Sequence, residues 1–246
     1  FIESLDLNGI TLFCQDWGSL IGLRVAAENG HRFARIALGN GGLPTGDQTM
    51  PDAFMKWRAF AQHSPYFPIG KIIQKGTTTN LRDDVVAAYD APFPSRKFKA
   101  GARMFPALVP IRPDDPASDD NRRAWDAFGH WEKPFLTAFS DKDPITRGGD
   151  RVWHKHVPGA QGQKHVTIEG AGHFLQEDKG EELASVLIEF INSANAAWTE
   201  RLAFEVFQLV LDLAPLVRVF GRIFHLGDDR PFPRQLGIQF QELFLV

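Results

Sequence analysis

Apolar and polar positions along the chain fall into three zones. In the first, Ile10-Thr11-Leu12-Phe13-Cys14 is a short apolar run with β-branched members, which predicts a strand. Leu20, Ile21, Leu23, Val25, Ala26 and Ala27 follow at helical spacing and stop near Asn29-Gly30, where a helix is expected to end. Ala34-Arg35-Ile36-Ala37-Leu38-Gly39-Asn40 reads as a second apolar strand. Strand, tight turn, helix and strand in that order make a parallel α/β unit.

The rhythm changes at Gly41-Gly42-Leu43-Pro44. Residues 44–125 are rich in proline, phenylalanine and charge, with helical patches at 52–62 and 81–88 separated by prolines. Proline interrupts helices, so this zone predicts a helical cap inserted between two strands of the core. The third zone restores the first pattern. Residues 135–140 and 165–169 read as strands, and 179–194 as an amphipathic helix with Leu183, Val186, Leu187, Phe190 and Ile191 on one side. The core is thus expected in two pieces, 1–43 and 126–198. Residues 199–246 form an atypical apolar extension, apolar nearly all round at first and without a clear period afterwards. That extension reads either as extra packing on the core or as a segment foreign to the fold.

Composition narrows the partners. The 246 residues are 43% hydrophobic, enough to bury a sizeable core. Net charge is −3, from 27 Lys+Arg against 30 Asp+Glu, which leaves no basic stripe and predicts no nucleic-acid partner. The single cysteine, Cys14, excludes an intrachain disulfide and a zinc site built on two thiolates. His154 and His156 are a pair without further ligands at metal spacing, so no metal is expected. Phe1-Ile2-Glu3-Ser4-Leu5-Asp6 carries no leader pattern. The longest apolar stretch, 202–224, is broken by Glu205, Asp212, Pro215, Arg218 and Arg222, so no stable membrane insertion is expected. A monomer in the cytoplasm is the expected state.

Three chemical groups follow three predicted strands: Asp16, Asp143 and His173. In an open parallel sheet the carboxyl ends of the strands form the ligand-binding edge. Two carboxylates and a histidine there can serve as nucleophile, orienting acid and base. Asp16 sits between strand and helix with Gly18 two residues on, the layout of a nucleophile elbow in which a small residue lets strand and helix cross closely. Each residue has a plainer reading. Asp16 also suits a helix N-cap, His173 is one of eight histidines, and Asp141 competes with Asp143, either suiting a turn before Pro144. The order nucleophile, acid, histidine is that of α/β-hydrolases.

The stretch from Cys14 to Arg24, Cys-Gln-Asp-Trp-Gly-Ser-Leu-Ile-Gly-Leu-Arg, resembles the elbow of haloalkane dehalogenases. Leu43-Pro44-Thr45-Gly46-Asp47, Met50-Pro51-Asp52-Ala53-Phe54, Ala91-Pro92-Phe93-Pro94 and Gly101-Ala102-Arg103-Met104-Phe105-Pro106 are similar to that family's cap. Phe139-Ser140-Asp141-Lys142-Asp143-Pro144-Ile145-Thr146 and Gly172-His173-Phe174 complete the likeness, which covers roughly 1–194. It implies the carboxyl-terminal half of an α/β-hydrolase fold, a mostly parallel sheet with an inserted helical cap. It implies Asp16 as nucleophile, His173 as base and Asp143 as its orienter. Trp17 and Trp57 would bind the halide ion, and Phe54, Phe105 and Pro106 would line the pocket for a small haloalkane. Water is the only co-substrate, and no cofactor is implied.

Members of that family carry further strands and a His-Gly-x-Pro loop before the elbow. This sequence begins just before the elbow strand and contains no His-Gly pair. Two alternatives therefore stand beside a dehalogenase: a truncated relative without turnover, and an epoxide hydrolase of the same fold. The latter protonates its substrate with cap tyrosines, and only Tyr66 and Tyr89 are present.

Overall fold

The computed structural model describes residues 1–193, so the expectation for 199–246 lies outside the described residues. Four parallel strands form one sheet in the order β1-β2-β3-β4: β1 (Ile10–Gln15), β2 (Phe33–Gly39), β3 (Phe135–Ser140) and β4 (Val166–Ile168). Leu12 pairs with Ile36 and Cys14 with Leu38, while Ile36 also pairs with Phe135. All six residues of β3 are buried. A parallel sheet covered on both faces needs such unbroken apolar strands rather than alternation.

From Ile36 onward the two faces divide the apolar side chains of β2 and β3. Ile36, Leu38, Phe135 and Phe139 point into one core with Leu23 and Ala26 of α1 (Trp17–Glu28), Phe128 of α6 (Ser118–Phe128) and Trp153 of α7 (Asp150–His156). Trp153 stacks on Trp125 at 4.1 Å and on Phe135 at 5.3 Å between ring centroids. Ala37, Leu136 and Ala138 face the other way, onto Leu175, Leu183 and Phe190 of a helix over 175–193, α8. Side chains alternate along a strand, so helices on both sides hold the sheet between two apolar layers. Fully burying one such Leu or Phe contributes about 1.5–3 kcal/mol.

Between β2 and α6 lie four further helices: α2 (Asp52–His63), α3 (Ile69–Gly76), α4 (Asp83–Asp90) and α5 (Ala100–Leu108). α2 packs on α5 and α3 on α4. The prolines mislead at α5, where Pro106 sits inside the helix. It falls late in a short helix, and proline there removes a single backbone donor. Helix α6 packs on α1 and runs through residue 125, so the expected boundary between cap and core falls inside it. No helix among the described residues is long and apolar enough to cross a membrane.

Candidate active site

The site forms where β1, β2, β3 and β4 end. Asp16 follows the last residue of β1 with φ 48° and ψ −123°. A non-glycine residue there stores roughly 1–3 kcal/mol of strain. The turn is held from both sides. The Asp16 N–H donates to the Asn40 carbonyl at 3.1 Å, and the Asp16 carbonyl accepts the Ser19 N–H at 2.9 Å and the Ser19 hydroxyl at 2.5 Å. Helix α1 opens at Trp17, which puts its first N–H groups and the positive end of its dipole beside the carboxylate. Asp16 makes no side-chain cap bond to that helix. The close approach of strand and helix lies at a different glycine from the one expected. A Cβ on Gly18 would meet Cys14 at an ordinary 3.8 Å, whereas one on Gly22 would meet Leu12 at 3.3 Å.

His173 lies in the loop between β4 and α8, and its imidazole stands between two carboxylates. Nδ1 is 2.9 Å from Oδ2 of Asp143, and Nε2 is 3.5 Å from Oδ1 of Asp16. Asp143 is fully buried. Its carboxylate also accepts the Ile145 N–H at 2.9 Å and the Thr146 hydroxyl. Burial pushes the Asp143 pKa up, but the His173 contact and these hydrogen bonds outweigh it and hold the pKa below the ordinary range. Burial likewise opposes charge on His173. The hydrogen bonds and charges of Asp143 and Asp16 prevail, raising its pKa to about 9. Asp141 is turned elsewhere. It accepts the Gly170 N–H at 2.7 Å and pairs with Lys142.

The remaining expected residues fall into two groups. Trp17 packs against Phe105 at 4.8 Å between centroids, so the cap reaches the residue next to Asp16. Trp57 stacks with Phe60 and Phe67 at 6.1 and 5.8 Å, inside the cap cluster of Ala61, Phe67 and Ile69. Phe54 and Pro106 are buried. Among the described residues, Trp57 and Phe54 reach Asp16, Asp143 and His173 through no hydrogen bond or ring contact. His154 stacks on His165 at 3.8 Å and meets Thr137 at 2.8 Å, apart from His156.

Three polar residues that the sequence pattern passes over surround His173. Asn40, fully buried with φ 26°, contacts both the β3 end and the histidine loop. Gln15, the last residue of β1, donates to the His173 carbonyl at 3.1 Å. Asp178 at the start of α8 accepts N–H groups of Thr78 and Thr79 from the cap and of Gly172 from the histidine loop. Phe174 N–H donates to the Gly76 carbonyl at 3.3 Å, tying the same two loops again. A side-chain amide beside a strand end is the only sequence signal that marks Asn40 and Gln15.

Known proteins resemble this chain in sequence and fold. A haloalkane dehalogenase of Psychrobacter cryohalolentis is 56% identical over 191 residues, covering 78% of this chain and 63% of the relative. One of Mycobacterium marinum is 54% identical over 190 residues, covering 77% and 64%. The chain thus spans just under two thirds of the length of these curated relatives. Among solved structures, the tetrameric haloalkane dehalogenase DpaA from Paraglaciecola agarilytica matches with a TM-score of 0.69 at 30% identity, over 75% of this chain and 61% of that one. The haloalkane dehalogenase DatA from Agrobacterium tumefaciens has the same fold, with a TM-score of 0.64 at 18% identity over 78% and 69%. The sequence model of the alpha/beta hydrolase family matches residues 1–186. With its sheet, elbow and histidine loop in that order, the chain belongs to the alpha/beta hydrolase family.

Proposed function

We propose that this chain carries haloalkane dehalogenase chemistry, hydrolysing the carbon–halogen bond of a small haloalkane to an alcohol and a halide ion. The observation that carries this reading is the imidazole of His173 set between the Asp16 and Asp143 carboxylates, with a tryptophan directly after Asp16. An Asp16 oxygen attacks the halogen-bearing carbon, the carbon–halogen bond breaks, and the halide leaves with the bonding electrons. A carboxylate suits this step because displacement at an sp³ carbon needs no general base. The product is an alkyl ester on Asp16. His173 Nε2 then takes a proton from water, the hydroxide attacks the ester carbonyl, and the alcohol leaves as it regains the proton.

The charges impose the order of events. The two carboxylates raise the His173 pKa and so favour the imidazolium, which is no base, in the resting site. Esterification removes the Asp16 charge and one hydrogen-bond acceptor, so the pKa falls and the share of neutral base rises when there is an ester to cleave. In this reading the indole N–H groups of Trp17 and Trp57 bind the departing halide. Phe54, Phe105 and Pro106 supply the apolar wall. The chain works as a monomer in this reading, since all three reacting side chains come from it. An epoxide hydrolase is not favoured: Tyr66 is 64% exposed and Tyr89 gives its hydroxyl to Glu177.

The deciding experiment is halide release from 1,2-dibromoethane by the purified chain, beside Asp16→Ala and His173→Phe. Release is expected from the unchanged chain and not from Asp16→Ala. His173→Phe is expected to give a single stoichiometric burst with an alkyl mass adduct on Asp16. A folded chain that releases no halide overturns the reading, as does steady turnover by His173→Phe.

A further inference from the structure

The loop that carries His173 has no regular structure of its own. It runs through Gly170, at φ 74°, Ala171 and Gly172, and glycines leave a backbone free to move. Yet the imidazole must hold Nδ1 on Asp143 while presenting Nε2 to the ester. Beside the bonds that Asp178, Gly76 and Asp141 make to its main chain, the carbonyls of Gly172 and His173 are held by the ends of the first three strands.

Two consecutive carbonyls take four side-chain hydrogen bonds. The Gly172 carbonyl accepts from the Ser140 hydroxyl at 2.6 Å and the Asn40 amide at 2.9 Å. The His173 carbonyl accepts from the Asn40 amide at 2.9 Å and the Gln15 amide at 3.1 Å. A carbonyl has two lone pairs, and each of these two has two donors within reach. Asn40 is the common member. Its two Nδ2 protons face three acceptors, the two carbonyls and Ser140 Oγ at 2.6 Å; its Oδ1 accepts the Ser140 N–H at 2.8 Å, and its own carbonyl accepts the Asp16 N–H. One residue therefore touches the nucleophile turn, the end of the strand leading to Asp143, and the loop of the base. It does so fully buried and at a positive φ, a conformation that persists only when its surroundings impose it.

We infer that Asn40, assisted by Gln15, is a positioning residue that fixes the base by clamping the main chain of Gly172 and His173. The inference rests on the reading of His173 as the base for ester hydrolysis. Carbon–halogen cleavage by Asp16 does not need the imidazole in register; ester hydrolysis does. Loss of the clamp therefore slows the second step selectively, by on the order of 10²-fold for a displacement near 1 Å.

The test compares the unchanged chain with Asn40→Ala and Gln15→Met, measuring the halide burst and the steady turnover of 1,2-dibromoethane. Asn40→Ala is expected to keep the burst rate per folded molecule while turnover falls about 10²-fold, with a smaller fall for Gln15→Met. A merely structural role would reduce burst amplitude and turnover together, leaving their ratio unchanged, and that result overturns the clamp. Should Asn40→Ala fail to fold, the burst-to-turnover ratio of Asn40→Ser decides, because the Gln15 amide also lies 3.4 Å from His173 Nε2 itself. A second readout needs no turnover. The proton on His173 Nδ1 gives a low-field NMR signal that disappears in His173→Gln. It is expected to broaden or exchange faster in both clamp variants, and an unchanged signal in both overturns the inference. If the unchanged chain releases no halide, the proposed function fails and this signal still judges the clamp.

Discussion

Replacing Asp16 by asparagine removes a charge while keeping the shape of the side chain, which imitates the neutral ester. His173 Nε2 lies 3.5 Å from the Asp16 carboxylate. At that distance a pair of unit charges interacts by about 1 kcal/mol in a water-like medium and about 5 kcal/mol at an effective dielectric of about 20. The Asp16 side chain is 48% exposed, which places the interaction toward the lower end. At about 1.4 kcal/mol per pH unit, Asp16→Asn should lower the His173 pKa by roughly one to two units from its value of about 9. Asp143 remains and keeps the imidazole from dropping further. The assay is an NMR titration of the His173 ring carbon, assigned by its absence in His173→Gln. An unchanged or higher pKa in Asp16→Asn would refute the argument that esterification releases the base.

Three further outcomes follow from the same coordinates. The folded pKa of His173 lies above its ordinary 6.5, so its stabilisation is complete below about pH 6.5 and is lost as pH rises through 9. That is about 3 kcal/mol, read as a fall in urea unfolding free energy between pH 6 and pH 10 that His173→Gln lacks. Cys14 is buried, and desolvation raises its pKa to about 12; Ellman's reagent should leave it untouched in the folded chain and modify it fully in urea. Gly46 holds φ 79°, and a methyl group there would run into the Arg112 backbone. Gly46→Ala should lower stability by at least about 2 kcal/mol, seen as a drop in Tm by calorimetry.

That Asp16, Asp143 and His173 come together was legible because each follows a strand, and strands of a covered parallel sheet announce themselves as apolar runs. Phe135 to Ser140 is the clearest case. The start of α8 was less so: the period is clean from Leu183 onward, whereas Leu175 to Asp178 carries only one buried apolar residue. Helix α7 escaped notice because its seven residues offer a single buried side chain, Trp153. Asn40 and Gln15 were out of reach for a different reason. Their partners stand 133 and 158 residues away, and nothing local distinguishes an amide that braces a distant carbonyl from one that solvates a turn. The choice between Asp141 and Asp143 needed geometry too, since both follow the same strand.

Asp178 joins N–H groups of the cap loop and of the histidine loop on one carboxylate. Burial works against its charge, but those hydrogen bonds hold its pKa below the ordinary range, so the joint is anionic throughout the neutral range. The cap cannot swing away from the core at Thr78 and Thr79 without pulling on the same group that anchors Gly172, one residue before the imidazole. Movement of the cap loop and placement of the His173 imidazole therefore share one anionic joint, and a substitution at Thr78 or Thr79 reaches the main chain beside the imidazole through it.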